Sequence, residues 1–353
     1  MQRSYAGGLV VATLVMLSEP AHVAIGAREP GQAVVAPPAP VPETTDFATF
    51  MAALRVDALA RGISQTTVER ALTDLEPSPT VIERDQTQAE IVLSVDEYVA
   101  RRLTRPMIRT ARQNASKHSA LLKRVSVKYG VPSHYVVAIW GLESNFGRFS
   151  GVRPTIQALA TLAWEGRRGA FFRSELMNAL EIVDRGFIDL EQLRGSWAGA
   201  MGQTQFMPSS YLKWAEDFDA DGDRDIWRSQ HDVFASIANY LKQHGWSADV
   251  TWGREVHLPP PGITALRDKV GMRVEGCRAE REMTHPLPLA RWQALGVRTV
   301  SGAALPRNRI DASLIHTGKR AFLVYGNYES LLDYNCAHSY ALAVALLGDR
   351  IGG

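Results

Sequence analysis

The sequence has 353 residues but only two cysteines, Cys277 and Cys336, and no Cys-x-x-Cys pair. It contains no His-Glu-x-x-His, and its nine histidines fall at no metal-like spacing, which excludes the common zinc frameworks. No P-loop is present. Ser196 follows Gly195 directly, so it does not sit in Gly-x-Ser-x-Gly, and a nucleophile-elbow hydrolase is not supported. Charge of one sign is missing too: 39 Lys and Arg against 37 Asp and Glu leave +2, with no long basic run. Nucleic acid is thereby excluded as a main partner. No tandem repeat at a solenoid period occurs. Two cysteines can join in an oxidising compartment, but two separate buried thiols fit the sequence equally well.

What is present is apolar content of 46%, enough for one large or two modest domains with a real core. Met1-Gln2-Arg3, the mostly small or apolar run Tyr5 to Leu17 and the small residues from Ala21 to Ala27 have the order of a secretory signal. Residues 1–27 are read as that signal, with an uncleaved signal anchor as the alternative. The apolar run is short of the ~20 residues of a stable membrane span. No cysteine lies near the cleavage region, so a lipobox is absent. These features predict export to the periplasm. Residues 28–45 carry Pro30, Pro37, Pro38, Pro40 and Pro42 and read as an extended linker.

From Asp46 to Trp246 the pattern is mainly helical. Phe47 to Ala60 sets Phe47, Phe50, Met51, Leu54 and Ala58 on one face. Ser64 or Gln65 opens a second helix, ending near Leu75. Leu121, Leu122, Val125 and Tyr129 mark another, stopped by Gly130 and Pro132. Ser133 is a plausible N-cap for the apolar helix that follows. Phe171 to Val183 and Val233 to His244 read as amphipathic helices closed by Gly186 and Gly245. After Trp252 the texture changes. Lys269–Val274, Val297–Val300 and Ala321–Val324 look like short strands or irregular structure, and Tyr334 to Leu347 returns to helix. The fold class is mainly α (α+β): a helical subdomain over 46–130, a core over 131–250 and a mixed region with a small late β part over 251–351.

Glu143 ends the apolar helix, in Val136 to Leu142 followed by Glu143-Ser144-Asn145-Phe146-Gly147. The helix carbonyls there carry partial negative charge, and the apolar run adds desolvation. Both favour a protonated carboxyl near neutral pH, as a general acid requires. Taken alone, such a Glu is more often an ordinary surface residue. A second constellation runs from Ser196-Trp197-Ala198-Gly199-Ala200-Met201-Gly202 through Gln203, Gln205, Phe206 and Tyr211. Side-chain amides beside flat aromatic faces suit sugars, while a Gly-rich turn beside an aromatic core is the bland reading.

In this order the motifs resemble the MltB-type soluble lytic murein transglycosylases, a family with a lysozyme-like catalytic core. The matching pieces are Glu143 to Gly147, Trp197 to Gly202, Gln205 to Tyr211, Ala238 to Leu241, His244 to Trp246, and Tyr334-Asn335 with Ser339-Tyr340. The resemblance runs from about Phe47 to Ile351. It implies that Glu143 is the single catalytic acid and base. Ser196 belongs to the candidate substrate-binding set. Gln205, Phe206, Tyr240, Tyr334, Asn335 and Tyr340 match positions lining the family's glycan cleft, although Tyr240 and Tyr340 also read as core aromatics. The implied reaction cleaves the β-1,4 bond between MurNAc and GlcNAc and closes a 1,6-anhydro ring on MurNAc, without water. A muramidase-type hydrolase and a non-catalytic glycan-binding scaffold are the alternatives. Peptidoglycan strands are the implied partner, with cell-wall synthesis enzymes as candidates beside them.

Asp217, Asp219 and Asp221 with Gly222 fit the opening of an EF-hand-like loop, and Asp223 follows in step. The twelfth position holds Arg228 rather than an acid. Some family members use a longer loop with a late carboxylate. Asp232 can fill that role, one residue further from Trp227 than in the family pattern, or can cap the helix starting at Val233. Arg224 and Arg228 can instead neutralise the acids. No cofactor is needed for the chemistry, and a structural Ca²⁺ is the one metal in view.

Overall fold

The computed structural model describes residues 46–87, 93–166 and 168–353. The segments 1–27 and 28–45 lie outside the described residues. Helices dominate, as expected. In chain order they are α1 (Phe47–Ala60), α2 (Gln65–Leu72), α3 (Pro79–Thr87), α4 (Val95–Arg102), α5 (Arg105–Lys117), α6 (Ser119–Tyr129), α7 (Ser133–Ser144), α8 (Thr155–Glu165), α9 (Gly169–Asp184), α10 (Pro208–Trp214), α11 (Gln230–Gln243), α12 (Ile263–Val270), α13 (Arg278–Arg281), α14 (Leu289–Ala294), α15 (Gly326–Tyr334) and α16 (His338–Gly352). The strands are β1 (Arg153–Pro154), β2 (Arg194–Gly195), β3 (Gly253–His257), β4 (Leu287–Pro288), β5 (Arg298–Thr299), β6 (Asp311–His316) and β7 (Ala321–Val324).

Side chains set several of the helix starts, chiefly in the N-terminal helices. Asp46 accepts from the Thr49 amide ahead of α1, and Ser64 accepts from the Thr67 amide ahead of α2. Ser94 and Glu97 form a capping box on α4, and Thr104 caps α5 with Pro106 in its first turn. Each such cap contributes roughly 1 kcal/mol. One expected cap differs. Ser133 is the first helical residue of α7, and the cap position is Pro132, whose extended backbone leads into the helix without a side-chain bond.

α7 is the centre of the molecule. Tyr135 to Leu142 are buried all round, because the helix is apolar on every face. It packs against α5, α6, α11 and α16. Cutting a side chain such as Ile139 to alanine there would cost about 2–5 kcal/mol. One apolar cluster runs from Met51 to Leu347 and crosses both expected subdomain boundaries. α4 leans on α16, which brings the N-terminal helices up to the end of α7.

The late region carries an antiparallel sheet in the order β4-β6-β7-β3-β5. Its strands alternate between two cores. Ile315, Phe322 and Val324 join the main cluster, whereas Leu314, Ala321 and Leu323 join a second cluster around Leu289, Trp292 and Val297. One expectation for this region fails, and another is met only in its irregular form. In Lys269–Val274, α12 continues to Val270 with Leu266 buried beneath it, Gly271 ends it, and the rest is irregular, with Val274 exposed. Tyr334 to Leu347 is not one helix. Asn335 is extended between α15 and α16, and the next residue, Cys336, is joined by a disulfide to Cys277.

Candidate active site

The end of α7 is shaped by an unusual backbone run. Asn145, Phe146 and Gly147 are left-handed in succession, with φ of 49°, 60° and 79°. Such conformations cost on the order of 1 kcal/mol or more at a bulky residue. Packing and hydrogen bonds hold them. Phe146 lies edge-on to Trp140 and fits the space over Gly141. The Ser144 hydroxyl donates to the Trp140 carbonyl and accepts from the Gly147 amide. Gly147 itself is boxed in: a Cβ there would stand 2.5 Å from Gln203 Oε1. Gln203 is committed, since its Oε1 accepts from Trp140 Nε1 at 2.7 Å and its Nε2 donates to the Trp227 carbonyl at 2.7 Å. It braces the loop and is not a free sugar-binding amide.

This loop and the α7 terminus open into a cleft of about 620 Å³. Glu143, Asn145 and Phe146 line it from one side, with Ser196, Trp197 and Gln205 from the Gly-rich segment. A further wall was not foreseen from the motifs. Arg101 and Arg102 of α4, with Thr104, Pro106, Met107 and Thr110, come from the N-terminal helices. The only signal for it in the sequence is the capping box that starts α4; the approach to α7 is long-range packing.

Both Glu143 carboxyl oxygens are buried and have no aligned hydrogen-bond partner. Burial pushes the carboxyl up to about 8, opposed by the Tyr340 hydroxyl and by the Arg102 charge. Arg102 is fixed by donating from Nη2 to the Leu142 carbonyl at 2.6 Å. Glu143 is the one acid among the described residues lining the cleft.

The other expected site residues divide into two groups. Ser196 and Gln205 line the cleft. The Ser196 hydroxyl accepts from the Ala198 and Ala200 amides, and Gln205 Nε2 donates to the Gly202 carbonyl, so both are held by their own loop. Phe206, Tyr240 and Tyr334 instead form a buried aromatic layer behind it, with ring centroids 4.8–5.9 Å apart. The Tyr240 hydroxyl donates to the Asp333 carbonyl and the Tyr334 hydroxyl to the Thr204 carbonyl, both at 2.7 Å. They stand behind the cleft wall, not on it as the resemblance implies: both tyrosine hydroxyls are used up on backbone, and the Phe206 ring packs against the two tyrosines. Asn335 is buried beside them at the α15–α16 break. Tyr340 is buried against Glu143.

The acidic loop is also resolved into roles. Carboxylate oxygens of Asp217, Asp219 and Asp221 lie within 4.8 Å of one another, and Asp217 Oδ1 is buried without a partner. That orphaned oxygen fits a cation. Asp223 falls outside the group; its amide donates to Asp221 Oδ1. Asp232 falls outside the group and is not the cap. Its two oxygens accept from the Phe218 and Asp225 amides at 2.8 Å, and the cap of α11 is Ser229. The arginines neutralise the loop in part: Arg228 pairs with Asp225 of the same loop but with none of the three grouped acids, and Arg224 lies over the Phe187 ring.

Residues 46–349 match the family model described as "Transglycosylase SLT domain". The chain is 32% identical over 238 residues to membrane-bound lytic murein transglycosylase B of Escherichia coli K12, covering 67% of this chain and 61% of that protein. The aligned part is thus less than two thirds of that relative's length. Among solved structures, SltB3 of Pseudomonas aeruginosa in complex with NAG-anhNAM-pentapeptide superposes with a TM-score of 0.79 at 40% identity, over 87% of this chain and 80% of that one. The Escherichia coli lytic transglycosylase Slt35 in complex with calcium superposes with a TM-score of 0.71 at 26% identity, over 86% and 92%. With most of its length matched in order and in space, this chain belongs to the transglycosylase SLT-domain family.

Proposed function

We propose that the protein is a lytic murein transglycosylase, exported to the periplasm, that cleaves the β-1,4 bond between MurNAc and GlcNAc. The observation that carries this reading is Glu143: a single buried carboxyl, protonated to about pH 8, at the floor of a cleft lined by no second acid among the described residues. Ordinary glycosidases need two carboxylates. One suffices if the nucleophile is internal. Glu143 donates its proton to the glycosidic oxygen as the C1–O bond breaks. The MurNAc C6 hydroxyl then attacks C1, and its proton passes to the Glu143 carboxylate. The products are a 1,6-anhydroMurNAc end and a free GlcNAc 4-hydroxyl, and the enzyme is returned to its starting state. The intramolecular attack gains from proximity, and Ser196, Trp197 and Gln205, which line the cleft, would hold the sugar. A disulfide between Cys277 and Cys336 suits an oxidising compartment.

Asp217, Asp219 and Asp221 would hold a structural Ca²⁺, away from the chemistry. Melting with and without added Ca²⁺ tests this; an unchanged midpoint at millimolar Ca²⁺ refutes it.

Mass spectrometry of digested sacculi decides the main reading. Anhydro-ended muropeptides that vanish with Glu143→Gln are the expected result. Reducing MurNAc ends would establish a muramidase instead. Binding to sacculi with nothing released would establish a scaffold.

A further inference from the structure

Three arginines line the cleft beside Glu143: Arg101 and Arg102 from α4, and Arg148 from the loop after α7. Arg102 is occupied by the Leu142 carbonyl and by the field of Glu143. Arg101 and Arg148 are different. Both are exposed, and neither makes a hydrogen bond or ion pair among the described residues, although Arg101 lies within electrostatic range of Glu97 on its own helix. Two elements distant in sequence therefore deliver uncommitted guanidinium groups to one cleft whose lone acid is neutral below about pH 8. A cleft for neutral sugars has no use for this excess. Unpaired positive charge in a concave, partly dry site attracts anions and binds carboxylates in a forked geometry.

We propose that Arg101 and Arg148 determine specificity by binding the carboxylates that MurNAc carries on its C3 lactyl arm. This rests on the peptidoglycan reading above and narrows it: the preferred glycan is anionic at that arm. Two sources share the chemistry, the lactyl carboxylate of a denuded strand and the carboxylates of a peptide stem attached there. The neutral glycan chitotetraose has neither.

The test uses the full chain carrying Glu143→Gln, so that bound glycan is not consumed. Affinities are measured for a stem-bearing GlcNAc–MurNAc tetrasaccharide, its denuded form and chitotetraose, at low and high salt, with and without Arg101→Gln plus Arg148→Gln. Both arginines are exposed, and thermal melting monitors the fold. The expected result is a tenfold or greater loss of affinity for a carboxylate-bearing ligand in the double variant, and loss of its salt dependence, with chitotetraose changed less than twofold. Loss on the stem-bearing ligand alone assigns the stem carboxylates, loss on the denuded ligand alone assigns the lactyl carboxylate, and loss on both shows that the pair takes either. An equal loss on all three ligands, or no loss on any, overturns the inference while leaving the glycan reading intact. Failure of the Glu143→Gln parent to bind any of the three overturns both.

Discussion

The Tyr340 hydroxyl meets the Glu143 carboxyl across the α7–α16 contact, and neither has an aligned partner although both are buried. The hydroxyl is near enough to hold the carboxyl down, but it is not oriented as a well-formed hydrogen bond. The pair is thus a loose one, of the kind that catalytic groups often show in the absence of substrate.

Burial dominates the Glu143 shift, so the acid is lost as pH rises through about 8. The rate of anhydromuropeptide release should fall above that pH. Tyr340→Phe removes a group that lowers the Glu143 value, so its alkaline limb should move to higher pH. Release rates against pH for the two proteins check this; coincident limbs would show that Tyr340 does not tune the acid.

The same shift predicts a stability effect. The folded protein holds the Glu143 proton from the ordinary value of 4.5 up to about 8, whereas the unfolded chain loses it near 4.5. Folding therefore binds the proton, and stability from this group falls with rising pH across that window. Glu143→Gln removes the penalty. The variant should be more stable than the parent at pH 8.5, by at most about 5 kcal/mol, with the gap closing toward pH 4.5. Denaturant midpoints at the two pH values measure it.

Gly147→Ala should destabilise by about 2–4 kcal/mol. The new Cβ meets Gln203 Oε1 in a left-handed backbone, and the Trp140–Gln203 bond must give way. Urea unfolding gives the magnitude. A change below about 0.5 kcal/mol would show that the loop relaxes freely.

The Cys277–Cys336 bridge closes a sequence separation of 59 residues and pins the break between α15 and α16. Replacing both cysteines by serine should cost roughly 2–4 kcal/mol. Because Cys336 lies between Asn335 and Tyr340, the release rate should fall as well. Melting and product yield are read on the same sample, and an unchanged rate would separate the bridge from the site.

The centre of the site was legible in the chain because it is local. An apolar helix, the Gly130 that ends the helix before it and the Glu143 to Gly147 turn follow from propensity and burial, whereas the role of Glu143 rests on the resemblance. The Gly-rich segment was legible as a segment, but the direction of its side chains was not. Gln203 and Gln205 look alike in sequence, yet one braces Trp140 and the other lines the cleft. Phe206, Tyr240 and Tyr334 turn inward because their hydroxyls and rings find partners more than 30 residues away. Asp232 stands one residue off the spacing of a late ligand, and the Phe218 and Asp225 amides bind its two oxygens. Long-range packing decided the placement of Gln203 and the three aromatics and also brought α4 to the cleft, whereas Asp232 is claimed within its own loop.

The alternation along β7 has a further consequence. Its four residues are divided between two apolar cores, Phe322 and Val324 on one side, Ala321 and Leu323 on the other. Neither core can loosen without stripping one face of the same strand. The late region is therefore not an accessory that can be trimmed away, and heat should take both cores apart in a single cooperative step.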